Sequence, residues 1–216
     1  MTFAKGLSQV FQNALVLGTI GTTLLLGQPS ALSQTLRTKV HFANTDISQF
    51  WSRTFQNLGR PWQRPTAYEY QTFARTPCGI AGEFNAIYCL RNRSIYVNVP
   101  LLLQADQQSG DFAAITILAH EYGHAVQDQL GLSRIHRYLV QEELQADCFA
   151  GVYAKDAQGR GLLDQTDVQE GYLQSFLSGQ SHFHPNSHGT QQQRARAFYR
   201  GVTSGFRSCL AYSLLR

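Results

Sequence analysis

The chain has 216 residues, 15% of them charged and 43% hydrophobic, with six prolines, four cysteines and a formal net charge of +4. That balance excludes a disordered or collagen-like chain and fits one globular domain of ordinary size. The basic excess is small and scattered rather than gathered into a run, so nucleic acid is not an expected partner.

Lys5 is the only charge among the first 36 residues. Ala14–Leu26 is an apolar run diluted by Gly and Thr, and Ala31-Leu32-Ser33 offers small residues at the minus three and minus one positions of a cleavage site. This is the layout of a secretory signal peptide over residues 1–33, whose removal would leave residues 34–216. The alternative is an uncleaved N-terminal membrane anchor, but a bilayer crossing takes about 20 apolar residues and this run is shorter. Export would put Cys78, Cys89, Cys148 and Cys209 in an oxidising compartment, where they can pair in three connectivities. Cys78 and Cys89 lie eleven apart around a Gly-containing stretch suited to a local disulfide, which leaves Cys148 with Cys209. A thiolate metal site is the rival reading, but the chain has no C-x-x-C pair.

Along the mature chain, Thr45 or Asp46 can cap a helix whose stripe is Ile47, Phe50, Trp51, Phe55 and Leu58, ended by Gly59 and Pro61. Ala67–Phe73 and Ser94–Val99 read as strands, with Ala86–Leu90 a weaker strand between them. Helical patterning begins at Asp111, read as the cap of a helix reaching Leu130 and stopped by Gly131. Further helices are expected at about His136–Ala157, Thr166–Leu177 and Thr190–Gly201. The histidine-rich stretch Ser181–Thr190 is an irregular loop.

His120-Glu121-Tyr122-Gly123-His124 is an H-E-x-x-H on the first of these helices. Residues four apart share a helix face, so two imidazoles can reach one metal ion while Glu121 lies beside that face. A catalytic zinc takes three protein ligands and keeps one position open. Downstream, Glu143 and Asp147 are again four apart on one helix face. Glu143 can complete a His₂Glu set, with Asp147 accepting the free ring N–H of a ligand histidine. Glu142 competes with Glu143, but four residues after it stands Ala146, which offers no such acceptor. The plainer alternative for these residues is two histidines on a packed helix face and a solvated acidic face on the other helix.

HEYGHAVQDQLG (His120–Gly131) followed by ELQADCFAGVYA (Glu143–Ala154) resembles the bacterial neutral zinc metallopeptidase family, whose members share H-E-x-G-H-x-V-Q and E-L-Q-A-D-C-F-A-G. The likeness extends to the TPCG, YC and IYVN blocks within Thr76–Asn98 and to HGTQQQRARAFYRG (His188–Gly201), covering most of the mature domain. The resemblance implies zinc ligands at His120, His124 and Glu143, a catalytic glutamate at Glu121, and at Asp147 the acid behind the ligands of thermolysin-like enzymes. Together with the elements above it implies an α+β fold, a small antiparallel sheet packed on a mainly helical zincin-like metallopeptidase domain. Many relatives carry one membrane-spanning N-terminal segment. The expected location is outside a bacterial cytoplasm, periplasmic or extracellular, by secretion or by such an anchor.

One Zn²⁺ per chain would lower the pKa of a bound water to about 7 and polarise a scissile carbonyl, with Glu121 moving the proton. His188 is the candidate oxyanion donor, weighed against a solvated-loop role; for His182 and His184 the loop role is favoured, and Tyr122 is expected to point away from the site. A peptide or protein substrate is expected to bind along the sheet edge near Ile95–Val99. Arg194 and Arg196 read as packing residues of the last helix. Two other functions compete. A deformylase-like amidase needs an upstream cysteine ligand, and those cysteines are better placed in a disulfide. A non-catalytic zinc or peptide-binding domain has no need of Glu121.

Overall fold

A computed structural model describes residues 31–214. Ala31–Asn57 form one continuous helix, α1, so the start expected at Thr45 or Asp46 is wrong. Asp46 lies in mid-helix, where its carboxylate accepts two hydrogen bonds from Arg160 (2.9 and 2.7 Å) and one from the Tyr153 hydroxyl (3.0 Å). These partners, distant in sequence, replace the orphan N–H groups that an N-cap would serve. The stripe of Ile47, Phe50, Trp51 and Phe55 is buried as its spacing predicts, while Leu58 stays exposed. Gly59 follows with a φ of +67°, a conformation that stops the helix at no side-chain cost. Of the leader expected over residues 1–33, residues 1–30 lie outside the described residues, and residues 31–33 open α1. Among the described residues no helix is long and apolar enough to cross a membrane.

Strands β1 (Thr66–Tyr70), β4 (Ala86–Cys89) and β5 (Ser94–Asn98) form a three-stranded sheet in the order β1-β5-β4, and a hairpin of β2 (Ala74–Thr76) and β3 (Gly79–Ala81) forms a second. The expected antiparallel sheet is in fact mixed. β4 and β5 are the two arms of a hairpin and pair antiparallel, but β1 enters in the same sense as β5 and pairs with it in parallel, Thr66 opposite Ser94 through Tyr70 opposite Asn98. β5 is therefore the central strand, buried at all five positions. The expectation of a substrate edge at Ile95–Val99 is overturned: that strand has a neighbour on each side, and the free edge on the β4 side belongs to Ala86–Cys89.

β5 runs directly into an unanticipated helix, α2 (Val99–Ser109), capped by the Asn98 side chain accepting from the Leu101 N–H at 3.1 Å. Its one apolar turn was too short to read as a periodic stripe. The next helix, α3 (Asp111–Leu130), has no side-chain cap of its own; Glu170 reaches across to accept the Phe112 N–H at 3.0 Å, correcting the cap assigned to Asp111. α3 is apolar nearly all round and forms the middle of the core. Around it pack α1, α2, α4 (Leu139–Gly159) and α5 (Gln165–Leu177), while α6 (Gln191–Ser204) packs on the far side against α4 and α5, followed by a short α7 (Phe206–Cys209). A mainly helical body with a small sheet on one side is an α+β fold.

Both expected disulfides are present, Cys78–Cys89 and Cys148–Cys209, and no described cysteine is free. The first joins the β2–β3 turn to β4; the second ties α7 to α4. Two disulfides fit an oxidising compartment.

Burial raises the pKa of Asp46, but the hydrogen bonds from Arg160 and Tyr153 outweigh it and hold the carboxyl below its ordinary value. A depressed folded-state pKa contributes stability that is present above the unfolded value, near 4, and lost as pH falls through the folded value. Asp46→Asn is expected to cost about 2 kcal/mol at pH 7, discounted because Arg160 is partly exposed. In urea melts at stepped pH, the gap between the wild type and this variant should close below about pH 4. A gap independent of pH would contradict the ion pair.

Candidate metal centre

His120 and His124 stand one turn apart on α3, their Nε2 atoms 3.1 Å from each other. Glu143 on α4 meets both, with Oε2 3.4 Å from His120 Nε2 and Oε1 3.7 Å from His124 Nε2. One ligand atom from each of the three residues can be chosen so that all lie within 4.8 Å of one another, a group that could hold a metal ion. α4 comes this close because Gly123 faces it: a Cβ there would lie 2.7 Å from the Ala146 carbonyl oxygen. The same device recurs where α4 crosses α6, with Gly151 against the Phe198 backbone and Gly201 against that of Cys148. That second crossing brings Arg194 of α6 into the site.

Behind the three residues lies a second ring of contacts. His120 Nδ1 is 2.8 Å from Asp147 Oδ1, and Arg194 donates to Asp147 from Nε at 2.7 Å and from Nη2 at 2.8 Å. His124 Nδ1 is 2.8 Å from Gln127 Oε1. With both Nδ1 atoms engaged, the two Nε2 atoms are left facing one point, a place that suits a positive charge. His188 Nδ1 lies 3.1 Å from Glu143 Oε2, its side chain 54% exposed.

Charge points the same way. Glu121, Glu143 and Asp147 are buried together, and Arg194 is the only buried guanidinium among the described residues. Burial raises the Glu143 carboxyl, but hydrogen bonds from His120 and His188 hold it well below its ordinary value. Asp147 is held down against burial by Arg194. Burial disfavours a charged His120, yet Asp147 pushes its pKa up to about 10, while burial and the neighbouring His120 push His124 down. The site therefore draws positive charge into its centre. Two imidazoles and a carboxylate are a donor set suited to zinc, and these residues fit that ion.

Glu121 is a different kind of group. Burial raises its pKa to about 7; one carboxylate oxygen accepts from the Tyr88 backbone N–H, and Oε2 is buried with no partner. It lines a cleft of about 690 Å³ together with His120, His124, Glu143, His188 and the β4 edge from Ala86 to Tyr88.

Most residues expected at the site converge there. Glu142 does not join the group of possible ligands; its carbonyl instead accepts from Gln127 at 2.7 Å. Tyr122 points away, donating to Asn44, and His182 and His184 are exposed in the loop. Arg196 is exposed, but Arg194 is no mere packing residue: it is 6% exposed and neutralises Asp147. Nothing in its own spacing singled it out, since its partner lies 47 residues away. All four cysteines are in disulfides, so none is left to serve as the amidase-type ligand.

A family model described as "Putative neutral zinc metallopeptidase" matches residues 28–212. The chain is 32% identical to the uncharacterized protein YpfJ of Escherichia coli K12 over 227 residues, covering 85% of this chain and 77% of that one. It is 29% identical to the uncharacterized protein Rv2575 of Mycobacterium tuberculosis H37Rv over 200 residues, covering 77% and 67%. No solved structure matches. The match runs through the helices that carry His120, His124 and Glu143 and through Arg194 behind them, and the chain belongs to the neutral zinc metallopeptidase family.

Proposed function

We propose that this chain is an exported zinc-dependent peptidase in which His120, His124 and Glu143 hold the ion and Glu121 is the general base. The observation that carries the reading is the unpartnered, buried Oε2 of Glu121 beside two convergent imidazoles at an open cleft. A purely structural metal site has no use for a buried base and closes its fourth position with a ligand. Zinc, when bound, polarises a carbonyl and makes hydroxide available near neutral pH.

The chain's own residues do the rest. Glu121 takes the proton of the attacking water as the new C–O bond forms and delivers it to the amine nitrogen as the C–N bond breaks. His188 stands half exposed at the cleft, so its second ring nitrogen can donate to the carbonyl oxygen as negative charge develops there. Asp147 and Arg194 keep the His120 ring in place.

The substrate strand pairs with the free edge of β4. In an antiparallel ladder, alternate residues turn their N–H and C=O groups to alternate sides. Asn85 bonds to Asn98 on the β5 side, and the Tyr88 N–H reaches Glu121 on the other. Ala86 therefore turns its backbone groups toward the cleft, where an extended peptide can add as a further strand. Export is supported by the two disulfides and by the leader-like composition of residues 1–33.

Purified protein is expected to carry one zinc per chain and to cleave an unfolded protein substrate, with chelator abolishing cleavage. Glu121→Gln should lower turnover by about 10³-fold with zinc content unchanged. Bound zinc with no cleavage across a broad peptide library would instead favour a non-catalytic peptide-binding domain, and a wild type that takes up no zinc would sink both readings. Ala86→Pro removes the outward N–H and is expected to raise KM several-fold with kcat and the melting temperature little changed. An unchanged KM would contradict strand addition at β4.

A further inference from the structure

Two buried glutamines in the quoted motifs, Gln127 of HEYGHAVQ and Gln145 of ELQAD, have no part in the chemistry above, and both are 0% exposed. They are bonded to each other, Gln127 Nε2 donating to Gln145 Oε1 at 3.2 Å. Each amide is also anchored on a backbone carbonyl, which can only accept. Gln127 Nε2 donates to the Glu142 carbonyl at 2.7 Å, and Gln145 Nε2 donates to the Cys209 carbonyl at 3.0 Å and to Ser213 Oγ at 2.8 Å.

Those carbonyls remove the usual freedom of an amide to flip. With Nε2 committed to Glu142, Gln127 must present its oxygen to His124 Nδ1, 2.8 Å away. An amide oxygen accepts only, so His124 Nδ1 must carry the proton and its Nε2 must carry the lone pair. We propose that Gln127 and Gln145 are positioning residues for the metal site, a two-amide relay that locks His124 in the Nδ1–H tautomer with Nε2 turned to the ion. The relay starts at the segment tied down by Cys148–Cys209 and ends at His124, while His120 is held by the charged pair of Asp147 and Arg194. One imidazole is thus set by ionic partners and the other by neutral ones. This inference rests on the reading of His124 as a ligand.

The test is zinc affinity of the full chain by competition with a chromophoric chelator, beside the melting temperature of the metal-free form. Gln127→Leu is expected to weaken zinc binding about 10- to 100-fold, and Gln145→Leu by less. Because Gln145 acts through Gln127, the double variant should bind no more weakly than Gln127→Leu alone, whereas two merely structural losses would multiply. Wild-type affinity in Gln127→Leu, or multiplying losses in the double variant, would overturn the relay. If His124→Ala binds zinc like the wild type, the ligand reading itself fails, a separate result. Should the leucine variants not fold, long-range ¹⁵N–¹H spectra of the metal-free wild type decide: the relay requires the Nδ1–H form of His124, and the Nε2–H form would contradict it.

Discussion

Everything at the candidate site depends on how closely two helices touch. Glu143 reaches the histidines of α3 because α4 lies almost backbone to backbone against it, with Gly123 set over the Ala146 carbonyl. A methyl group at Gly123 would have to push α4 away, and a carboxylate 3.4 Å from His120 Nε2 leaves little room for such a shift. The position inside the H-E-x-x-H that carries no chemistry is thus the one that lets the chemistry assemble. The glycine pair at the α4–α6 crossing extends the same logic to Arg194, so α4 is held at near-minimal spacing to α3 on one side and to α6 on the other.

Close packing concentrates charge as well as atoms. Burying Glu121, Glu143 and Asp147 around one cleft would be unfavourable without compensation, since each carboxylate is desolvated. Arg194 offsets part of this through Asp147, and Asp147 in turn raises the pKa of His120, which favours positive charge there. A divalent ion held by His120, His124 and Glu143 would put more positive charge at the same place. Glu121, which gains least from these partners, has the most raised carboxyl of the three and keeps an oxygen free.

The residues that converge at the candidate site were legible in the sequence because a helix converts a spacing of four into a shared face: His120 with His124 and Glu143 with Asp147 could be read without knowing how the helices pack. The helix bodies from α3 to α6 were legible for the same reason. What depended on distant partners was not. Asp46 looks like a cap until Arg160, 114 residues on, is seen to hold it, and the true cap of α3 is Glu170, 58 residues from the N–H that it accepts. The sheet was misread because strand direction is set by the path between strands, which the pattern of any one strand does not contain. Arg194, Gln127 and Gln145 fall in the same class. Their roles are defined by partners on other elements, although the recurrence of glutamine within both quoted motifs was a signal that could have drawn attention to that pair.

The central claim is that the α3–α4 contact builds a three-ligand zinc site with a position left open. X-ray absorption on the zinc-loaded chain tests this most directly. The expected spectrum has two imidazoles and a carboxylate at about 2.0–2.2 Å, no sulfur, and a fourth light atom from solvent, and it should be unchanged in His188→Ala. A sulfur ligand, or a third imidazole that disappears in His188→Ala, would contradict the claim, the latter by showing a site closed by protein.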